Sequence, residues 1–191
     1  MDNIGTGIIE NILNGNHIEV WSVTISYIAY LIGFLFVIIG LVMFTKANNK
    51  GGMQRATHGA AIASLCAGFA LLSLQAFIAA GTYTMFASEN AGDYSFQNGV
   101  LVIQDLAKGK ISGPEALYME LIVYVMQIVG LIAVIKACFL FREATTTSKA
   151  AVGGIWHFVG GIIALNFKGA VNLVGETGGP DVQSILSRIF G

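Results

Sequence analysis

Four long apolar stretches alternate with polar connections along the chain, at residues 20–44, 58–86, 117–141 and 150–167. The first is a run of 25 residues without a charge, which as an α-helix rises about 37 Å and exceeds a bilayer core of roughly 30 Å. The last holds only 18 residues, so a re-entrant segment is an alternative to a full crossing there. The pattern predicts an all-α fold, an integral membrane helical bundle with about four transmembrane helices.

The two ends of the chain and its central connection are patterned differently from these stretches. Residues 1–19 and 180–191 place apolar residues at helical spacing, which predicts an amphipathic helix at each terminus. Residues 87–116 form a polar connection, which we expect to be an external loop, and loops of this length usually have a function or a partner. Its apolar middle, 100–106, suits either a short strand or a packed helical turn. We expect a single membrane domain over the whole chain.

Composition supports the membrane setting. Hydrophobic residues make up 55% of the chain and charged residues 11%, whereas about a quarter of the residues of a soluble domain are charged. The mean hydropathy is +0.72. Because Lys and Arg form no basic patch, we expect no direct nucleic-acid site. Membrane lipid is therefore an expected partner, and bound phospholipid is the one ligand left open.

The basic residues predict the orientation of the bundle. Six of the ten Lys and Arg lie in or near the first and third connections: Lys46, Lys50, Arg55, Lys136, Arg142 and Lys149. Short loops rich in Lys and Arg stay cytoplasmic, so the first connection is predicted to be a cytoplasmic basic loop. The first 19 residues carry three acidic residues and no basic one. Both termini and the 87–116 loop are then predicted to be periplasmic in a bacterium.

Small residues recur at helical spacing within the apolar stretches. Residues on shared faces are Ser26, Gly33 and Gly40 in the first, Gly68 in the second, and Gly153, Gly160 and Gly161 in the fourth. Such faces let helix backbones approach closely where lipid offers no hydrophobic driving force. We interpret them as helix-packing and assembly faces. Contacts within one protomer can satisfy part of each face, and self-association is expected to use the rest.

Three polar side chains, Gln75, Gln127 and His157, lie near the midplanes of their stretches. Because an amide or imidazole in lipid needs a partner, we predict one intramembrane polar cluster between the second, third and fourth helices. The alternative is that His157 carries protons. Its candidate acidic partner, Glu120, is roughly 10–15 Å away in depth, so we favour a structural contact.

No sequence motif indicates catalysis. Residues 107–113 faintly resemble a phosphate-binding loop but lack the order GxxxxGK[ST]. Cys66 and Cys138 lie within apolar stretches, with no CxxC or His spacing, and are expected to be small buried hydrophobic residues. We therefore expect no catalytic, cofactor-binding or metal-binding residues and no enzymatic activity.

Three segments together resemble one bacterial family: 29–46, 125–142 and 153–166 (GGIWHFVGGIIALN). The pattern is similar to small inner-membrane proteins of type IVB secretion and IncI-type conjugation systems, the DotE/IcmC group and its TraQ-like conjugal relatives. Its most specific part is Trp156-His157 followed by Gly160-Gly161 and Asn166. The resemblance implies an inner-membrane component of the transfer apparatus, without enzymatic activity or cofactor, whose partners are other apparatus proteins.

Three roles remain open at this point. The chain could be a fixed part of the membrane platform, or a pilin-like subunit drawn from the membrane into a conjugative pilus filament. A small transporter or channel is a different class of function. It would show two similar halves or a charged pore lining, and neither is evident in the sequence.

The predicted topology can be tested by single-cysteine labelling in a Cys66→Ser, Cys138→Ser background. A cysteine at Lys50 should react only from the cytoplasmic side, and cysteines at Glu10 and Asp105 only from the periplasmic side. Labelling of position 50 from the periplasmic side would contradict the four-span topology.

Overall fold

The computed structural model of the chain describes residues 17–49, 58–86, 94–97, 100–103, 114–145 and 147–179. These residues form six α-helices and one β-hairpin, in this order: α1 (His17–Asn49), α2 (His58–Leu72), α3 (Leu74–Phe86), β1 (Tyr94–Gln97), β2 (Val100–Ile103), α4 (Pro114–Glu143), α5 (Ser148–Leu165) and α6 (Phe167–Gly178). The predicted all-α membrane-type bundle is confirmed. The predicted C-terminal helix at 180–191 lies outside the described residues. Of the predicted N-terminal helix at 1–19, only residues 17–19 are described, and they belong to α1.

Two straight helices are long and apolar enough to cross a membrane by length and composition. They are Val20–Ala47 within α1 and Leu121–Glu143 within α4. They overlap the predicted stretches 20–44 and 117–141. A helix suits a lipid setting because it satisfies its backbone hydrogen bonds internally.

The other two predicted spans are bent. The stretch 58–86 is not one straight helix, because α2 and α3 meet at Ser73 with an angle of 89°. The short fourth stretch ends as a helix at Leu165, and the chain turns by 94° into α6. Each bent pair is either a broken span or a re-entrant segment, so the described residues contain between two and four candidate spans by length and composition.

Both bends use the same local hydrogen bond. The Ser73 hydroxyl donates to the Phe69 carbonyl at 2.6 Å, and the Asn166 amide donates to the Ile162 carbonyl at 2.9 Å. In each case the acceptor lies four residues back and also accepts the backbone N–H of the same residue. A side chain that bonds this carbonyl competes with the regular helix and favours a bend.

The β-hairpin lies in the long central connection. Strand β1 pairs antiparallel with β2, with Tyr94 opposite Ile103 and Gln97 opposite Val100. Strand β2 runs beside α1. Of the two alternatives left open for 100–106, the strand is the one observed at Val100–Ile103.

The helices pack in the order α1, α2, α4, α5, with α3 lying across α5. One hydrophobic core joins them, and its buried members come from five helices: Ala29, Phe36, Ala67, Leu71, Leu74, Ile78, Leu131, Val134, Cys138, Ile162 and Leu165. Helices α2 and α4 are central because each packs against two neighbours in this order.

The chain consists of two similar halves, α1–α3 and α4–α6. Each has one straight helix followed by a bent pair. The closest contacts also match: a Cβ added to Gly33 would lie 3.0 Å from the Gly68 carbonyl oxygen, and one added to Gly161 would lie 2.9 Å from the Gly130 carbonyl oxygen. We call matching positions counterpart residues, such as Gly33 with Gly130 and Gly68 with Gly161.

The sequence does not show these halves because no single register aligns them. Counterparts in α1 and α4 are 97 residues apart, whereas those in the bent pairs are 93 apart. The difference lies in the connections, since eight residues separate α1 from α2 and only four separate α4 from α5.

The glycine contact in the second half predicts a sharp contrast between adjacent substitutions. Gly161→Ala would place a Cβ 2.9 Å from the Gly130 carbonyl oxygen and 3.0 Å from the Val134 nitrogen, and we expect a loss of about 1–3 kcal/mol in the free energy of unfolding. At Gly160 nothing lies within 4 Å, so Gly160→Ala should be neutral or stabilising. SDS-titrated unfolding in mixed micelles measures both, and equal losses would contradict the helix contact.

Candidate functional site

Buried polar side chains are the first place to look for a site in an apolar bundle. Among the residues whose side chains the structure describes, the buried polar set consists of hydroxyls and amides and contains no charged group: Ser22, Ser26, Ser64, Thr82, Gln127 and Asn166. A polar group in such surroundings is costly unless it is hydrogen-bonded, so its partners indicate its role.

Asn166 connects the two halves of the chain. Its amide nitrogen donates to the Thr82 hydroxyl oxygen at 3.0 Å, in addition to the Ile162 carbonyl, and both Asn166 and Thr82 are buried. Asn166 lies at the bend after α5, and Thr82 lies in α3 of the other half. The Asn166 Oδ1 atom is buried and has no hydrogen-bond partner among the described residues. The side chain therefore acts as a tie between helices at a helix break.

Aromatic packing surrounds this tie. The rings of Phe77 in α3 and Phe158 in α5 have centroids 4.7 Å apart. A Cβ added to Gly81 would lie 2.8 Å from the Phe158 ring and 2.9 Å from Ile162 Cδ1. A side chain at position 81 would therefore require the Phe158 and Ile162 side chains to shift.

A second interhelical hydrogen bond joins α1 to α2. The Ser64 hydroxyl donates to the Phe36 carbonyl oxygen at 3.0 Å, and Ser64 is fully buried. The Phe36 ring meets the Phe139 ring edge-on at 4.9 Å, and the Arg142 guanidinium carbon lies 4.4 Å from the Phe36 ring centroid. Phe36 thus links α1 to both α2 and α4, with a cation–π contact near the predicted cytoplasmic end.

The three residues of the predicted polar cluster have different surroundings. Gln127 is fully buried in α4. Gln75 is exposed, directly after the bend at Ser73, and a ring nitrogen of half-buried His157 bonds the Gly153 carbonyl of its own helix at 2.8 Å. The cluster itself stays a prediction.

The predicted packing residues lie mostly on contacts inside one protomer. Gly33 and Gly40 of α1 face α2, Gly68 of α2 faces α1, and Gly161 of α5 faces α4. These four positions would each bring an added Cβ to 3.1 Å or less from a backbone atom of the neighbouring helix.

The remaining three packing residues are looser. At Gly153 an added Cβ would meet Leu140 at 3.6 Å, an ordinary contact, and Gly160 faces open space. Ser26 is buried and donates to the Ser22 carbonyl of its own helix at 2.9 Å. Most of these faces are occupied within the protomer, so an assembly of copies can use only the open part of them, at Gly160, together with other surfaces.

Other predicted residues are placed as follows. Lys46 is exposed in the last turn of α1, whereas Lys50 and Arg55 lie outside the described residues. Cys138 is buried, as expected, but Cys66 is exposed on α2. The expectation of a buried Cys66 is wrong because its side of α2 faces away from both neighbouring helices.

Sequence reasoning missed the Asn166–Thr82 contact. Thr82 lies in a stretch that hydropathy treats as one straight span, so its distance from Asn166 could not be anticipated. The usable signal was Asn166 itself, an amide at the end of an apolar helix, which requires a buried partner or a membrane surface.

Comparisons with protein-family models, with curated proteins and with solved structures find no match for the chain. The resemblance to type IVB secretion and conjugation proteins therefore stays a prediction.

The Asn166–Thr82 hydrogen bond should appear as a coupling energy in a double-mutant cycle. We expect Asn166→Leu and Thr82→Val to couple by about 0.6 kcal/mol, with about 1.7 kcal/mol as the upper end for interhelical hydrogen bonds in membranes. Thr84→Val is the matched control, since the Thr84 hydroxyl is exposed and bonds the Ala80 carbonyl of its own helix. Additive effects of Asn166→Leu and Thr82→Val would show that the bond contributes nothing to stability.

Proposed function

We propose that the chain is a non-enzymatic structural subunit of a bacterial type IVB secretion or conjugation apparatus, embedded in the inner membrane and assembled with copies of itself. The observation that carries the proposal is the use of buried polar groups. Ser64 and Asn166 both bond across to a neighbouring helix, so their polarity stabilises the bundle. The resemblance of 153–166 to the type IVB secretion and conjugation proteins is the reason for assigning the subunit to that apparatus.

The outer surface of the helices supports a membrane setting and further partners. Large apolar side chains are exposed on straight and bent helices alike, including Trp21, Leu31, Ile132 and Trp156. Such side chains require lipid or another protein subunit around them. The basic first connection favours a cytoplasmic location for the loop after α1, and hence periplasmic termini.

Two forms of this role differ in where the protein is found. A platform subunit stays in the inner membrane, whereas a pilin-like subunit leaves the membrane and becomes part of an extracellular filament. The matched halves suit either form, because repeated units stack readily on one another. We favour the platform because its apolar outer surface is already compatible with lipid.

A transporter is the second candidate, and one observation favours it. Two similar halves with bent helices are common in membrane transporters. The interface between the halves is closed, however, by Ala67, Leu71, Leu131 and Cys138, all buried in one core. A substrate path between the halves would have to separate these side chains, so the structural role is preferred.

Deletion of the gene in its host, followed by measurement of conjugation frequency or reporter-protein export, tests the proposal. We expect transfer to be abolished, restored by the wild-type chain and by Gly160→Ala, and restored poorly by Gly161→Leu, which disrupts the α4–α5 contact. Fractionation of the same cells distinguishes the two forms, because only a filament subunit appears in sheared extracellular material. Undiminished transfer in the deletion strain would refute the proposal.

A further inference from the structure

The two halves of the chain repeat their closest helix–helix contacts at counterpart residues. Gly33 meets Gly68 as Gly130 meets Gly161. Further along the same helices, an added Cβ at Gly40 would lie 3.1 Å from the Ala61 carbonyl oxygen, and one at Gly154 would lie 3.4 Å from the Ala137 carbonyl oxygen.

Those four residues are two counterpart pairs, Gly40 with Ala137 and Ala61 with Gly154. Several counterparts also have identical side chains: Tyr27 and Tyr124, Val37 and Val134, Phe44 and Phe141, Ile62 and Ile155, Leu72 and Leu165. Each half is therefore the same structural unit.

These two units meet head to tail. Helix α2 of the first half packs beside α4 of the second, and α3 of the first half packs on α5 of the second. A two-fold symmetric pairing would also place α5 beside α1 and α6 beside α2, and the described residues show no such packing of comparable extent. One side of the first half is thus joined to the opposite side of the second half.

Head-to-tail contact leaves one side of each half without a helix packed on it. Strand β2 runs beside α1, yet burial still identifies the first of these open sides on that helix. In α4, Tyr124 is 4% exposed, Leu131 0% and Cys138 0%. Their counterparts in α1 are 57% exposed at Tyr27, 56% at Phe34 and 54% at Leu41. The face that α2 helps to cover on α4 is therefore open on α1.

The same comparison holds for the surfaces that α2 and α5 present. Ile162 of α5 is 0% exposed beneath α3, and its counterpart Phe69 on α2 is 58% exposed. Ala67 is buried in the core, and its counterpart Gly160 faces open space.

Helix α6 completes the second open side. Its Val174 is exposed, whereas the counterpart Gly81 in α3 packs against Ile162. Helices α1 and α2 therefore form one open side of the chain, and α5 and α6 form the other.

We propose that a second copy of this chain docks with its α5 and α6 on α1 and α2 of the first, reproducing between chains the contact that joins the halves within one chain. The inference rests on the self-assembly in the proposed function and specifies its interface. A contact of this kind uses two different surfaces, so every added copy leaves one of each free. Repetition gives a ring if the rotation closes and a helical filament if it does not.

Exposed apolar residues on a membrane helix are ordinarily covered by lipid, and the matched halves are the reason to assign a protein here. In our proposal, Phe34 and Leu41 meet the surface of the second half. The equivalent surface of the first half, which has the same helix arrangement, already packs against Leu131 and Cys138. On the surface of the second half, Gly160 has no side chain and leaves room for a docking helix. The first half therefore presents an acceptor surface, and the second half presents a donor surface that fits it.

Cysteine cross-linking in native membranes tests this interface. The background is Cys66→Ser with Cys138→Ala, which keeps the buried position apolar. Phe34→Cys labels the acceptor surface, and Gly160→Cys labels the donor surface. Their counterparts Leu131 and Ala67 belong to one core within the chain, so we expect positions 34 and 160 to be close between chains. Both sites are exposed, so both variants should fold and insert.

A short bis-maleimide reagent should give a dimer when chains with Phe34→Cys and chains with Gly160→Cys are coexpressed. Each single variant alone should stay monomeric on the gel, and a chain carrying both substitutions should give a ladder of dimers, trimers and larger species. Val129→Cys is the matched control, because it is exposed on a side of α4 that the proposal leaves to lipid. Val129→Cys coexpressed with Gly160→Cys should give no dimer.

Three results would overturn the interface, and the mass of the wild-type protein in native nanodiscs separates them. Dimers from Phe34→Cys alone would show a symmetric contact between acceptor surfaces. An oligomeric mass without any 34–160 cross-link would leave self-assembly standing and refute this interface. A monomeric mass without cross-links would mean that lipid covers both surfaces, and would refute self-assembly in the proposed function as well.

Discussion

Close approach of helix backbones is the interaction on which the rest of this structure depends. Apolar side chains gain nothing by leaving lipid for one another, so helices associate only where their surfaces fit tightly. In the pairs Gly33 with Gly68 and Gly130 with Gly161, the carbonyl oxygen of one glycine lies so close to the other that a Cβ there would clash with it. These two contacts lie in the α1–α2 and α4–α5 pairs, the two most extensive helix pairings among the described residues.

The bends at Ser73 and Asn166 then decide how the pairs are joined. A straight second helix would continue past α4 without turning toward α5. The 89° turn instead carries α3 across α5, where Gly81 and Thr82 meet Ile162 and Asn166. The polar residue that breaks one helix thus supplies the hydrogen bond that holds another.

Hydropathy was sufficient to predict the straight helices, and small-residue spacing singled out four glycines that lie at helix contacts within the protomer. Length and apolar character alone specify α1 and α4, and spacing by three, four or seven identifies faces such as that of Gly33 and Gly40. The bends could not be predicted, because one hydroxyl or amide bonding four residues back barely changes mean hydropathy. Which glycine faces a neighbour and which faces open space, as at Gly161 and Gly160, depends on helix rotation, which the spacing does not determine.

The Asn166–Thr82 bond joins residues 84 positions apart, and this separation has a consequence for biosynthesis. At translation rates of about 5–20 residues per second, Asn166 is made about 4–17 seconds after Thr82. During that interval α3 has neither its hydrogen-bond partner nor the Phe158 ring against which Phe77 packs. The first half must therefore be held at the insertion machinery or shielded by lipid until the second half is inserted. Packing of α3 on α5 thus depends on the order in which the helices enter the membrane.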